Sequence, residues 1–322
     1  MVDKHIRLSL FCGCAGERDG DPLEHIAASD ILRRLEFDNP WWAFRSGTRV
    51  RFRHPPQRGF ARDFAARALD AALDMPLIAA GPPGAGKTIV LRQALAADFG
   101  VQVHATAGDA ARGAGTWVLS VKPQVMRSVC TELAPLAATA NPLVVSIAAG
   151  VTTAQIDQWL GGDQAVVRTM PNTPSLLGAG ATGLYANPRV TDAGRELAGS
   201  LMSAVGLAAW IPDEAQMDAV TAVSGSGPAY VFLLAEAMQA AGVAQGLSPD
   251  TARDLANQTL LGAARMLVET GEDAATLRKR VTSPGGTTQA AIESFEANGL
   301  RKLVDEAVAA AARRGRELSG GS

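Results

Sequence analysis

Histidine and cysteine are both scarce in this chain of 322 residues: there are four histidines, at positions 5, 25, 54 and 104, and three cysteines, Cys12, Cys14 and Cys130. Beyond Cys130 there is neither. The later part of the chain therefore cannot build a Ser-His-Asp triad, a Cys-His pair or a histidine metal site on its own. Chemistry there must come from positioning, backbone dipoles, hydroxyls, carboxylates or a bound cofactor, which points towards hydride transfer. An odd, sparse cysteine set excludes a disulfide framework and fits a reducing cytoplasm. Cys12-Gly13-Cys14 lacks a second Cys/His pair at metal spacing, so no metal is expected. No apolar run reaches the length of a membrane span. Leu8 to Ala15 is apolar after a few positive residues, but it is short and has no clear cleavage pattern, so a signal peptide is not expected. A large charge of either sign is missing too: the formal net charge is −2, which argues against a general nucleic-acid binder. The cluster Arg45, Arg49, Arg51, Arg53, Arg58 and Arg62 is read as a solvated basic strand and loop.

What is present is apolar: 47% hydrophobic against 19% charged residues, enough length and burial for two domains. Residues 1–75 form a mixed leader, with a short helix over 29–35, a strand over 49–53 and helical spacing over 58–73. From 76 to 213 short apolar strands alternate with helical segments. The strands are predicted at 76–80, 101–103, 116–121, 142–147 and 165–170, followed by 182–185 and 208–211, with helices over 89–99 and 153–160. That pattern predicts an α/β domain, a Rossmann-like doubly wound parallel sheet covered on both faces. Residues 214–322 are almost wholly helical, an all-α C-terminal domain. Its segment 228–241 is apolar nearly all round, as in a helix buried in a core or against a second subunit. Ser248-Pro249-Asp250 gives an N-cap with proline at the first helical position of a helix to about residue 269. Helices over 287–297 and 300–318 complete the domain, with Gly299 where a helix terminus belongs.

Three motifs end successive strands: Ser120-Val-Lys-Pro123, Ser146-Ile-Ala-Ala-Gly150 and Arg168-Thr-Met-Pro-Asn-Thr-Pro174. An open α/β sheet binds its ligand at the carboxyl ends of its strands, and small residues let the backbone approach it. Ser224-Gly-Ser-Gly-Pro-Ala-Tyr230 opens the apolar helix. Ser283-Pro-Gly-Gly-Thr-Thr288 opens a later one; its N–H groups and hydroxyls can converge on a small anion at a helix N-terminus. The same hydroxyls, Thr287 above all, could simply N-cap that helix.

In this order the motifs resemble those of the pyrroline-5-carboxylate reductases, over about residues 91–318, roughly seven tenths of the chain. The resemblance implies reduction of the cyclic imine 1-pyrroline-5-carboxylate to proline by NADPH or NADH, in a cytoplasmic homo-oligomer joined through its C-terminal dimerisation helices, with no nucleic-acid or membrane partner. It implies that Ser120, Val121, Lys122, Pro123, Ala148, Ala149 and Gly150 border the cofactor and that Met170, Pro171 and Asn172 lie near the nicotinamide. Val281, Ser283, Gly285, Gly286, Thr287 and Thr288 would hold the substrate, with Thr288 as the catalytic residue at the imine nitrogen. No strong protein acid is required if the iminium form binds.

The first ninety residues depart from that pattern. The family's opening strand, its Gly-x-Gly-x-x-Gly turn and its ribose-binding strand are not found. In their place stands Gly81-Pro-Pro-Gly-Ala-Gly-Lys87-Thr88, a G-x-x-x-x-G-K-[ST] phosphate loop between a strand and a helix. Residues 30–93 resemble the start of an AAA-type P-loop ATPase. ATP hydrolysis needs an acidic residue at a neighbouring strand end, and the strands near 121 and 147 supply none. Gly81, Gly84, Gly86, Lys87 and Thr88 are thus a candidate phosphate loop that could replace the missing dinucleotide turn. The alternatives are a fusion that binds cofactor poorly and a P-loop ATP-binding protein.

Overall fold

The protein is described by a computed structural model for residues 8–12, 77–81, 102, 104 and 106–320. The expected helices at 29–35, 58–73 and 89–99, the strand at 49–53, and Gly84, Gly86, Lys87 and Thr88 lie outside the described residues, as does most of the expected strand 101–103. The chain divides into two compact units, Met1–Gly225 with Gly315–Ser322, and Ser226–Arg314.

In the first unit β1 (Leu8–Cys12) pairs in parallel with β2 (Leu77–Gly81), and β2 lies alongside β3 (Thr116–Leu119). Leu8–Cys12, within the apolar run set aside as a signal peptide, is thus a strand. A five-stranded sheet follows in the order β3, β4 (Leu143–Ser146), β5 (Ala165–Met170), β6 (Gly180–Ala186) and β7 (Gly206–Trp210). β3, β4 and β5 are parallel, as expected. β6 departs from the all-parallel expectation by running antiparallel to β5. Only residues 171–179 join the two, fewer than the dozen or so that a crossover needs. The longer link through α4 (Asp192–Ser203) returns β7 parallel to β6.

The central strands are buried along nearly their whole length because both sheet faces are covered. Trp117, Leu119, Val144 and Val166 share one core with α1 (Ala107–Ala111), α2 (Pro123–Ala140) and α3 (Thr153–Trp159). Val118, Val145, Val167 and Leu184 face the other way, into a core with Ala198, Leu201 and Met202 of α4. Successive residues of one strand serving opposite cores is the period of two that a strand imposes. The unit then passes through the short helix α5 (Met217–Val220) into a π turn, Thr221–Gly225.

The second unit is helical: α6 (Gly227–Ala244), α7 (Pro249–Glu269), α8 (Ala274–Arg280), α9 (Thr287–Ala297) and most of α10 (Leu300–Gly320). Ser248 caps α7 as predicted, its hydroxyl accepting from Thr251 N–H at 3.2 Å. α6 and α7 approach closely because small residues meet: a Cβ on Gly242 would lie 3.1 Å from that of Ala252. No residue of α6 is buried; Phe232 is 61% and Leu233 66% exposed. An ordinary core helix is thereby excluded within this unit. Among the described residues no helix is long and apolar enough to cross a membrane.

Candidate functional site

Parallel register aligns Leu119, Ser146 and Arg168 across β3, β4 and β5. The loops after these strands therefore leave from one edge of the sheet. Ser120, Val121, Lys122 and Pro123 come from the first, Ala148, Ala149 and Gly150 from the second, and Pro171 and Asn172 follow Met170 at the end of the third. This edge gathers ten of the residues singled out for cofactor binding. Lys122 is exposed and stands at the N-cap of α2, with Pro123 at the first helical position and no side-chain cap. Gly150 takes φ +75°, a conformation that favours glycine. None of these loop residues is acidic, so the donor set and the small side chains fit an anionic dinucleotide.

Several residues hold this edge in shape. The Ser146 side chain is fully buried, and its hydroxyl accepts from Ala148 N–H at 3.3 Å, turning the chain out of β4. Thr169 donates its hydroxyl proton to the Ser146 carbonyl at 3.0 Å, tying β5 to the same turn. Arg168 is buried as the one charged residue of β5 and meets Glu214, with Nη1 and Oε1 3.1 Å apart. The same carboxylate accepts from the N–H of Thr153 at 2.8 Å and from its hydroxyl at 2.7 Å, at the start of α3. Glu214 and Thr153 were not foreseen. The signal available was Arg168 itself, since a cation within a buried strand requires a carboxylate.

The glycine loop lies in the helical unit. α8 ends with Arg278, Lys279 and Arg280 in its last turn, and Arg280 pairs with Glu272. The Thr282 hydroxyl donates to the Arg278 carbonyl at 2.6 Å. Gly285 takes φ +71°, and its N–H donates to Gln289 Oε1 at 2.6 Å. Gly286 N–H donates to the Ser283 carbonyl at 3.0 Å. Gly286, rather than Thr287, is the N-cap of α9, and it offers no side chain to the first turn. The capping role weighed for Thr287 is thus corrected: Thr287 occupies the first helical position. Among the described residues the hydroxyls of Ser283, Thr287 and Thr288 are unengaged, and Val281 is exposed. Gln289 was not singled out from the sequence; its amide oxygen occupies a loop N–H that an anion could use. A separate groove of about 580 Å³ lies among Arg278, Phe295, Leu300, Arg301 and Val304, and no residue from 281 to 289 lines it.

Burial pushes the Cys130 thiol from 9.0 up to about 12, which removes it as a nucleophile. Among the described residues no group of three His, Cys, Asp or Glu side chains could hold a metal.

Comparison with known proteins agrees with this layout. Residues 214–318 match the family model described as pyrroline-5-carboxylate reductase dimerisation, and residues 84–150 match that of the coenzyme F420-dependent NADP oxidoreductases. The pyrroline-5-carboxylate reductase of Pseudomonas aeruginosa is 53% identical over 242 residues, covering 75% of this chain and 87% of that protein. That of Vibrio alginolyticus is 43% identical over the same length. The solved pyrroline-5-carboxylate reductase of Coxiella burnetii superposes with a TM-score of 0.73 at 43% identity, covering 81% of this chain and 95% of that one. The Plasmodium falciparum enzyme, solved with NADP bound, gives a TM-score of 0.65 at 27% identity, covering 80% and 94%. The AAA-type ATPase likeness of residues 30–93 finds no support in these matches, since the oxidoreductase model itself takes in Gly84 to Thr88. With such identity across most of each relative's length, and with strand-end loops and glycine loop in the order the motifs gave, this chain belongs to the pyrroline-5-carboxylate reductase family.

Proposed function

We propose that the chain reduces 1-pyrroline-5-carboxylate to L-proline with NADPH or NADH. The observation that carries this reading is the loop Ser283–Thr288: a glycine turn, unengaged hydroxyls and the uncapped start of α9. It suits a small carboxylate, because helix N-termini favour anions and the N–H groups there lack helical partners. Val281, Ser283, Gly285, Gly286 and Thr287 hold the carboxylate and ring, and the Thr288 hydroxyl hydrogen-bonds the ring nitrogen. The bound reduced nicotinamide supplies the hydride. The protein supplies orientation: protonation at nitrogen leaves the imine carbon (C2 of the pyrroline, C5 of the proline formed) electrophilic, so positioning accounts for the rate without a strong protein acid.

The cofactor is held by Ser120–Pro123, Ala148–Gly150 and Met170–Asn172. The motif Gly81–Thr88, which follows β2 in the sequence, takes a cofactor phosphate in place of the family's usual turn, with Lys87 as the cation. The exposed apolar side chains of α6 are covered by a second copy of the chain, which gives a homo-oligomer through the helical unit. The sparse cysteines suit the cytoplasm.

The test is NADPH oxidation by the purified full-length chain given 1-pyrroline-5-carboxylate, with proline identified as product. A folded sample that consumes no NADPH overturns the proposal.

A further inference from the structure

Asn172 stands at the N-cap of the 3₁₀ turn Thr173–Leu177 with an extended backbone, yet its side chain makes no cap hydrogen bond. Asparagine is among the most favoured N-cap residues, its oxygen ordinarily taking an N–H two or three residues on. Here the carboxamide reaches two distant stretches of main chain instead. Oδ1 accepts from Ala181 N–H at 2.9 Å, at the start of β6. Nδ2 donates to the Ser224 carbonyl at 3.0 Å, in the π turn. A backbone N–H can only donate and a backbone carbonyl only accept, so the two partners fix which end of the amide is which.

The Ser224 carbonyl needs an outside donor. Four residues on is Pro228, which has no N–H to offer, and the π partner five residues on, Ala229, donates its N–H to the Ser226 carbonyl at 3.0 Å instead. The Ser224 hydroxyl is already spent on the Val220 carbonyl at 2.9 Å. Next to it, Gly225 packs on Met170 so tightly that a Cβ there would lie 2.8 Å from Met170 Cε. Both ends of the Met170-Pro171-Asn172 step are thus fastened to the π turn, by packing at one end and by a hydrogen bond at the other. π turns within helical segments recur at functional sites.

We infer that Asn172 is a positioning residue for the reduction. Both ends of its carboxamide are taken up by main chain; it fixes where the strand end beside the nicotinamide stands, by giving Ser224 the donor that Pro228 cannot. The inference rests on the reading of Met170–Asn172 as the nicotinamide border.

The experiment compares full-length wild type, Asn172→Ala, Asn172→Asp and the double variant Asn172→Ala/Pro228→Ala. Asn172→Asp keeps volume and the acceptor for Ala181 but loses the donor, and so guards against a misfolded Asn172→Ala. Pro228→Ala gives the main chain an N–H four residues on from Ser224 without restoring the tie to Met170-Pro171-Asn172. Both single variants are expected to lose about ten-fold or more in kcat, while KM for 1-pyrroline-5-carboxylate and the NADPH Kd stay within about three-fold. The double variant regains thermal stability over Asn172→Ala without regaining kcat. Three results overturn the inference: single variants with wild-type kcat, kcat recovering together with stability in the double variant, or a raised NADPH Kd at unchanged kcat. An active wild type beside indifferent variants sinks the inference alone. A folded, inactive wild type sinks the proposed function and the inference with it.

Discussion

Replacing Glu214 with alanine tests the brace behind the cofactor edge. Its carboxylate serves three donors, the N–H and hydroxyl of Thr153 and Nη1 of Arg168, at 2.7 to 3.1 Å. The Arg168 side chain is 5% exposed, so the variant leaves a guanidinium buried without a counter-charge. Removing one partner of such a pair costs about 3–5 kcal/mol. The Glu214 side chain is itself 20% exposed, so water can replace part of what is lost, and the lower end, about 3 kcal/mol, is expected. For a unit of this size that corresponds to a fall in Tm of roughly 6–12 °C. Thermal melts followed by circular dichroism, at low salt and in about 1 M NaCl, read it out; the deficit survives salt because a buried pair is little screened. Replacing both members, Arg168→Met with Glu214→Leu, should destabilise less than Glu214→Ala alone, because no orphaned charge remains. A Glu214→Ala melt matching wild type, or a double variant worse than the single, refutes the reasoning.

Thr288→Val removes a hydroxyl that has no structural partner, so kcat/KM should drop about 10–100-fold while the melt stays at the wild-type position; intact activity removes Thr288 from the reaction. Phe232→Glu puts a charge into the apolar face of α6, and light scattering should show a smaller particle than wild type; an unchanged mass places the oligomer contact elsewhere. Lys87→Ala should weaken NADPH binding about ten-fold in a fluorescence titration, and equal affinity removes the phosphate contact. Cys130 should resist thiol reagents in the native protein and react once unfolded. Its folded value is the higher one, so the unfolded chain ionises first and stability falls as pH rises between 9.0 and about 12, by at most about 1.4 kcal/mol per pH unit; a melt flat across that window, against a Cys130→Ala control, contradicts the burial argument.

The central strands were legible because burial on both faces writes near-continuous apolar runs bounded by turns, and β5 matches the expectation at both ends, Ala165 and Met170. The helix opened by Ser248 was legible because a cap is a local contract between neighbours. Strand direction is not local: the apolar pattern of β6 reads the same either way, and only the shortness of 171–179 turns it around. The fate of α6 was equally hidden, since periodicity reports that a face is apolar and not what covers it. Asn172 shows the limit most sharply. Every local rule makes it a cap, and a π turn followed by the proline at 228, 56 positions later in the sequence, leaves a carbonyl that draws its amide away.

The scarcity of titrating groups and the charge around the glycine loop bear on each other in the proposed reaction. Pyrroline-5-carboxylate in its reactive form carries a carboxylate and an iminium, a zwitterion with opposite ends. The start of α9 and the Arg278 and Lys279 cations at the end of α8 raise the potential on the loop from two independent sources, Arg280 being paired with Glu272. In the proposed reaction that field would attract the carboxylate and repel the iminium, and so would orient the ring as well as bind it. A histidine or a second carboxylate near the nitrogen would compete: the one could take the iminium proton, the other would attract the ring nitrogen away from its hydride-accepting pose. A neutral hydroxyl at Thr288 does neither. In the proposed pose it would accept from the iminium N–H or donate to the imine nitrogen, and so would follow the ring through reduction without a change of charge. Sparse titratable chemistry is thus what a substrate that brings its own proton and its own charge separation calls for.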